Sequence, residues 1–225
     1  PKGTFCENQG MTFCPPCESG KYSANLGQTK CKSCGHGKYS SPFSESCEAC
    51  SPGRFTNNKG SSSCSQARKG YYASERQDRE LDCPDGTYSD VNGAQGACSI
   101  VPKGYFAVRK DEMPEPCPRG TFNPNEGSVS NSSCEICPLG KYGNSVGLVS
   151  SELCVSCVPG KYQKPGLSFH MKSSEALACT NCEPNTFSNV TGASFCLPCA
   201  PGSTSGAGQT YCSPCPSGTF LSNTQ

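Results

Sequence analysis

Residues 67–83 read ARKGYYASERQDRELDC and residues 101–117 read VPKGYFAVRKDEMPEPC. Each is one period of a phrase that runs through the whole chain, and each lacks two cysteines. The phrase is complete in CSPGRFTNNKGSSSC, residues 50–64, where Cys50 opens, Gly53 and Phe55 follow, and Cys64 closes. Laid on that pattern, Ala67 and Val101 stand where the opening cysteine belongs, and Glu80 and Pro114 where the closing one belongs. Both gaps span 13 positions, as Cys34 to Cys47 does. Elsewhere the cysteines run as Cys-x-x-Cys doublets: Cys14/Cys17, Cys31/Cys34, Cys47/Cys50, Cys134/Cys137, Cys154/Cys157, Cys179/Cys182, Cys196/Cys199 and Cys212/Cys215. The single cysteines Cys64, Cys83, Cys98 and Cys117 are each half of a split doublet. What is lost together is therefore the first and last cysteine of one unit, never a whole doublet. Disulfide partners disappear in this way because an abandoned thiol is a reactive liability.

The alternative for this spacing is a zinc ribbon, since Cys14, Cys17, Cys31 and Cys34 form C-x2-C-x13-C-x2-C. Zinc uses four thiolates at once, so decay would remove a doublet or all four. The chain's two histidines, His36 and His170, have no ligand spacing either. The register then assigns Cys17–Cys31, Cys34–Cys47, Cys50–Cys64, Cys83–Cys98, Cys117–Cys134, Cys137–Cys154, Cys157–Cys179, Cys182–Cys196 and Cys199–Cys212. By register Cys14 closes with the position before Pro1; pairing with Cys6 is the alternative the spacing favours. Cys215 opens a unit and completes the odd total of 21 cysteines.

Twenty-one cysteines in 225 residues place the chain in the disulfide-scaffold class, which persists in oxidising compartments, so it is read as secreted or cell-surface. Leu, Ile, Val and Phe total 30 residues and Trp is absent, too little for a conventional core of this length. Net charge is +1, with no basic stripe for nucleic acid and no apolar run long enough to insert in a membrane. The chain opens at Pro1 in mid-repeat, without a leader, which reads as a piece of something longer.

Thirteen units of about 17 residues cover the sequence, marked by Gly3, Gly20, Gly37, Gly53, Gly70, Gly86, Gly104, Gly120, Gly140, Gly160, Asn185, Gly202 and Gly218. Two positions later stands an aromatic in every unit but that of Thr204, from Phe5 and Tyr22 to Phe187 and Phe220. A second small residue follows at Gly10, Gly27, Gly60, Gly93, Gly127, Gly147 and Gly192. Each unit reads as a turn, a short strand bearing the aromatic, a second turn, and a return strand ending in the closing cysteine. The aromatic is expected to lie across the disulfide of its own or the next unit. The fold class is a small disulfide-rich one, mostly irregular with short β-hairpins: an elongated tandem-repeat rod of 13 units with almost no helix, each unit contacting mainly its neighbours.

Three segments follow: regular repeats over 1–66, the two cystine-free units over 67–116, and longer repeats over 117–225. The charged stretch Ala73–Asp82, without a cystine, is expected to be the most flexible point, a hinge. Residues 167–178 (LSFHMKSSEALA) are an insertion able to form a short helical turn capped by Ser173.

Catalytic constellations are not legible. His36 sits in a turn, His170 has no nucleophile motif near it, and the carboxylates are scattered singly. No cofactor is implied. Asp82, Asp85, Asp90 and Asn92 are the one group that could gather around calcium. Two sequons, at Asn131 and Asn189, fall in expected turns and would carry glycans outside the cell.

The phrases CESGKYS, CSPGRFT, CPDGTYS, CPRGTF, CPLGKY and CVPGKY resemble the ephrin-receptor-like cysteine-rich repeat and, more loosely, the first module of tumour-necrosis-factor-receptor ectodomains. The resemblance implies an elongated extracellular array with local cross-links, as in receptor ectodomains and large surface or fibre proteins. The chain departs from the receptors in its cystine-free units, its insertion, and the absence of a recognisable ligand-binding or kinase domain. The function expected is a non-enzymatic structural repeat protein, a rod-like spacer or filament-forming element whose partners are further repeats or copies of itself. The alternative is a ligand-binding receptor ectodomain with a protein ligand, contacted at the insertion or near Arg76–Glu80.

Overall fold

A computed structural model describes residues 1–8 and 10–219. Each unit begins with a four-residue turn that the C-x-x-G phrase dictates. In the unit of Cys17, the Lys21 N–H donates to the Glu18 carbonyl (3.0 Å), with Gly20 third in the turn at φ +81°. A positive φ at that place alone is the type II arrangement, which favours Gly or Asn. Asn185 takes the same place at φ 67°. Beyond the turn come strands of two residues, such as Lys21–Tyr22 paired antiparallel with Lys32–Ser33. Among the described residues eleven such two-stranded sheets follow one another along the chain. The Cys34 N–H then returns to the Gly20 carbonyl (2.9 Å), which ties the next unit's opening residue to the turn.

Isolated two-stranded hairpins are marginal in water, so something must hold each one. One support is covalent. Nine disulfides join the cysteines 13 to 22 positions apart, with Cα separations of 5.7–6.0 Å. The other support is backbone stacking between units. The Gly20 N–H donates to the Ser40 carbonyl of the next unit (2.9 Å), and the Gly60 N–H, from a second turn, donates to the Cys34 carbonyl of the unit before (2.8 Å). The same second turn reaches one unit further back. A Cβ on Gly20 would fall on the Gly60 carbonyl, and one on Gly140 on the Gly192 carbonyl. Each unit is thus bonded to the next and packed against the next but one, a longer reach than nearest-neighbour stacking.

The core is a file of small residues. Cys17, Cys34, Cys117, Cys157 and Cys182 are fully buried, and Ala67 and Val101 occupy the same place at 0% exposure. Beside them runs a file of buried polar residues three after the turn glycine or Asn185: Ser23, Ser40, Thr56, Ser89, Asn123, Gln163, Ser188 and Ser205. Their backbones carry the inter-unit bonds, as when the Ser40 N–H donates to the Ser61 carbonyl (3.3 Å) while its own carbonyl accepts from Gly20. Aromatics close the core against the next unit's disulfide: Phe122 clusters with Cys137, Cys154 and Leu148, and Tyr142 with Cys157, Cys179 and Ala178. Phe220 lies outside the described residues.

Among the described residues helix is confined to single turns at Asn131–Ser133, Ser151–Leu153 and Glu175–Ala178. The last lies in the insertion, and its N-cap is Ser174, extended at φ −157° and ψ 163°, rather than Ser173. The contacts divide into two units, one of Pro1–Ile100 with Ala107–Pro114, the other of Val101–Phe106 with the residues from Glu115 onward. Each repeats the hairpin architecture just described.

Candidate functional site

Left-handed backbone at the second turn is required even where glycine is missing. Phe43 (φ 65°) and Gln77 (φ 56°) adopt it, and the Phe43 N–H donates to the Cys17 carbonyl (3.0 Å) as the Gly60 N–H does to Cys34. Their side chains are tolerated because only the backbone faces inward; Phe43 is 63% exposed. Spacing alone could have located both positions, since each stands where the other units place the second glycine.

In the cystine-free unit of 67–83 the closing place holds Glu80, whose carboxylate reaches back to the opening side. It accepts from the Arg68 Nε (2.8 Å) and from the Arg68 backbone N–H (3.1 Å), and the Arg68 guanidinium lies 4.5 Å from the Tyr71 ring centre. The stretch Ala73–Asp82, read as a hinge, forms part of a hairpin of three-residue strands, Tyr71–Ala73 with Glu80–Asp82. At its tip the Ser74 hydroxyl donates to Asp78 (2.7 Å), which holds that carboxyl below the usual carboxylate range. In the other cystine-free unit Val101 is buried and Pro114 half-buried.

The insertion takes the place of a second turn. The Phe169 carbonyl occupies the Cβ space of Gly120, and the Lys172 carbonyl accepts from the Gly143 N–H (2.9 Å). Lys172 is buried, with its ammonium donating to the carbonyls of Cys137 (2.7 Å) and Pro138 (3.2 Å). Burial pushes that ammonium below the ordinary lysine range. No sequence pattern marked Lys172, because its partners lie 35 and 34 positions away.

The calcium reading does not survive the geometry. Asp85 is paired with the Lys110 ammonium (2.9 Å), Asn92 accepts from the Lys69 N–H (3.0 Å), and the described residues contain no cluster of three acidic, His or Cys ligands. His36 donates from Nδ1 to the Asn57 carbonyl (2.7 Å), and His170 stacks beside Phe169 at 3.9 Å. Neither stands with a nucleophile. Clefts are open troughs; one of about 420 Å³ runs along Pro52, Tyr72, Glu75 and Ala97. No helix among the described residues is long and apolar enough to cross a membrane. Asn131 and Asn189 are both exposed.

Cys6 and Cys14 are joined as a tenth disulfide, with Cα atoms 4.8 Å apart, and Cys215 is a half-buried free thiol among the described residues. No curated protein matches the chain. Residues 104–154 match the family described as tyrosine-protein kinase ephrin type A/B receptor-like. That span starts at the turn glycine Gly104 and ends at Cys154, taking in the disulfides Cys117–Cys134 and Cys137–Cys154. Residues 104–154 are thus similar to an ephrin-receptor-like cysteine-rich module, set in a chain of like units.

Proposed function

We propose that the chain is a non-enzymatic structural repeat segment outside the cell, serving as an elongated spacer or filament-forming element of a larger surface or secreted protein. One observation supports this above the rest: the units stack through the same backbone bonds, from turn glycine to next unit and from second turn to opening residue. Among the described residues, chemistry particular to one unit includes the packing of the insertion around Lys172 and the Arg68–Glu80 and Ser74–Asp78 contacts of the unit of 67–83. A repeated, self-supporting contact of this kind specifies length rather than a site. Small-angle scattering of the oxidised chain tests it. A compact particle of 225 residues has a radius of gyration of about 17 Å. The proposal expects a clearly larger value with a rod-like profile; a value at the compact figure overturns it.

The second reading, a ligand-binding ectodomain, draws on the insertion, where Met171 and Leu177 are exposed on a loop that Lys172 anchors. Because Lys172 is part of the packing, deletion would disturb the fold. Replacing Met171 and Leu177 by Ser keeps the anchor and should abolish partner binding under this reading only.

A further inference from the structure

Tension along the chain does not run through every residue. Within a cystine-closed unit the load crosses the bridge, whose Cα atoms are 5.7–6.0 Å apart, and the 13 to 22 positions of loop are spared. Between successive bridges the load returns to the backbone. Among the described residues those links are three positions long, as from Cys31 to Cys34 and from Cys154 to Cys157, with two exceptions. Cys64 to Cys83 and Cys98 to Cys117 are each 19 positions (83 − 64 and 117 − 98), because the cystine-free units lie there. A link of three positions extends to at most about 10 Å, and one of 19 to about 65 Å.

We propose that the two cystine-free units are the extensible elements of the chain, opening under tension and reclosing while the cystine-closed units keep their length. The inference rests on the proposed structural role, since an elongated spacer or filament carries load along its length, and it locates where that load is accommodated. The unit of 67–83 is closed by bonds that break and re-form: the ladder of Tyr71–Ala73 with Glu80–Asp82, and the Arg68–Glu80 pair at 2.7 Å. It is also less tightly seated. A Cβ on Gly70 would have the Asp111 Cβ as its nearest neighbour, at 3.4 Å, whereas on Gly20 or Gly53 it would fall on a carbonyl of the second turn two units on. The neighbours stay folded when the unit opens, because Gly53 and Gly93 lie inside the closed loops Cys50–Cys64 and Cys83–Cys98. They hold in place the Gly53 carbonyl that accepts from the Ala67 N–H (2.9 Å) and the Gly93 N–H that donates to the Ala67 carbonyl (2.7 Å). Relaxation therefore returns the unit to its own partners. In the stretch of 98–117 the closing contact is likewise a ladder, Tyr105–Phe106 with Glu115–Pro116.

The test is single-molecule stretching of the oxidised chain held by peptide tags at its two ends, beside Ala67→Cys with Glu80→Cys and Val101→Cys with Pro114→Cys. The parent should lengthen in two steps, each of about 65 Å of contour less the folded span it replaces. Both steps should reappear on repeated relaxation and stretching. Each pair of substitutions should remove one step, because the new bridge leaves links of three positions, 64–67 and 80–83 in the first case and 98–101 and 114–117 in the second. Non-reducing peptide mapping confirms each new bridge. Reductant should add further steps in the parent as the closed loops join the load path. The number and length of the parent's steps stand independently of any variant. More than two such steps in the oxidised parent, none at all, steps that do not recover on relaxation, or both steps retained in a variant whose bridge has formed would each overturn the inference. A compact particle in scattering would remove the role on which it rests, whereas an elongated chain without these steps would sink the inference alone.

Discussion

Restoring the missing cystine in the unit of 67–83, by Ala67→Cys with Glu80→Cys, should create an eleventh disulfide that forms without rearrangement. The two positions are 80 − 67 = 13 apart, the spacing of Cys34–Cys47 and Cys199–Cys212, whose Cα atoms sit 5.7 Å from one another. Ala67 is already buried at the opening place, with its N–H on the Gly53 carbonyl at 2.9 Å as Cys34 has its own on Gly20. Closing a loop of that size removes about 3 kcal/mol of unfolded-chain entropy. Against this stands the loss of the Arg68–Glu80 ion pair, whose arginine side is 67% exposed, worth about 0–1 kcal/mol. The net gain is about 2 kcal/mol or slightly more. Whole-chain melting suits a repeat array poorly because its units open separately. The assay is therefore amide exchange at Tyr71–Ala73 and Glu80–Asp82, with non-reducing peptide mapping. Protection there should rise by roughly 30-fold. Two free thiols under oxidising refolding, or a new bridge with unchanged protection, would refute the register and the energetics respectively.

Gly20→Ala should destabilise its neighbourhood by about 2–5 kcal/mol, from left-handed strain plus overpacking against the Gly60 carbonyl. Gly70→Ala, whose nearest neighbour is the Asp111 Cβ at 3.4 Å, carries the strain alone, about 1–2 kcal/mol; equal losses in exchange protection would deny the close approach. Lys172 makes stability depend on pH. Its folded pKa lies below the ordinary 10.5, so between the two the unfolded chain binds the extra proton and stability rises with pH. Lys172→Met should flatten that rise in exchange-monitored unfolding of the 137–179 region; an unchanged slope counts against the buried ammonium as its source. When the chain is secreted from eukaryotic cells, Asn131 and Asn189 should each carry a glycan, read as a mass loss on enzymatic deglycosylation that Asn131→Gln and Asn189→Gln remove one at a time.

The hairpins and their order were legible because the information is local: a turn that needs Gly or Asn, an aromatic two residues on, cysteines at fixed spacing. The paired gaps at Ala67/Glu80 and Val101/Pro114 marked the opening and closing places, and the structure adds that the opening ones are buried. The opening place accepts a small apolar residue because it is the core, and the closing place at 80 accepts a carboxylate because it can reach Arg68. What composition and spacing did not reveal lies between units. The buried file from Ser23 to Ser205 reads in sequence as ordinary turn residues, since its role comes from backbone bonds to a hairpin about 20 positions away. Phe43 and Gln77 stand at a spacing that marks the second turn, but their side chains gave no sign of its left-handed backbone, and Lys172 hid an anchor. The gathering of Asp82, Asp85, Asp90 and Asn92 failed because Lys110, brought alongside by the fold, neutralises one carboxylate first.

These two kinds of support differ in what they can lose. A disulfide belongs to one unit, and its absence leaves the stacking intact: Ala67 still donates to Gly53, and its carbonyl still accepts from the Gly93 N–H at 2.7 Å. A turn glycine belongs to three units at once, through its N–H to the next unit and the carbonyl seated on it from the unit after. Replacing it disturbs all three, so substitution there should be rarer than cystine loss. The chain follows that ordering: two interior units have given up both cysteines, while the turn place shows a single change, to Asn185, the residue that best keeps the left-handed turn. The array is thus held in register by backbone contact between units, with the sulfur bridges stiffening each hairpin within it.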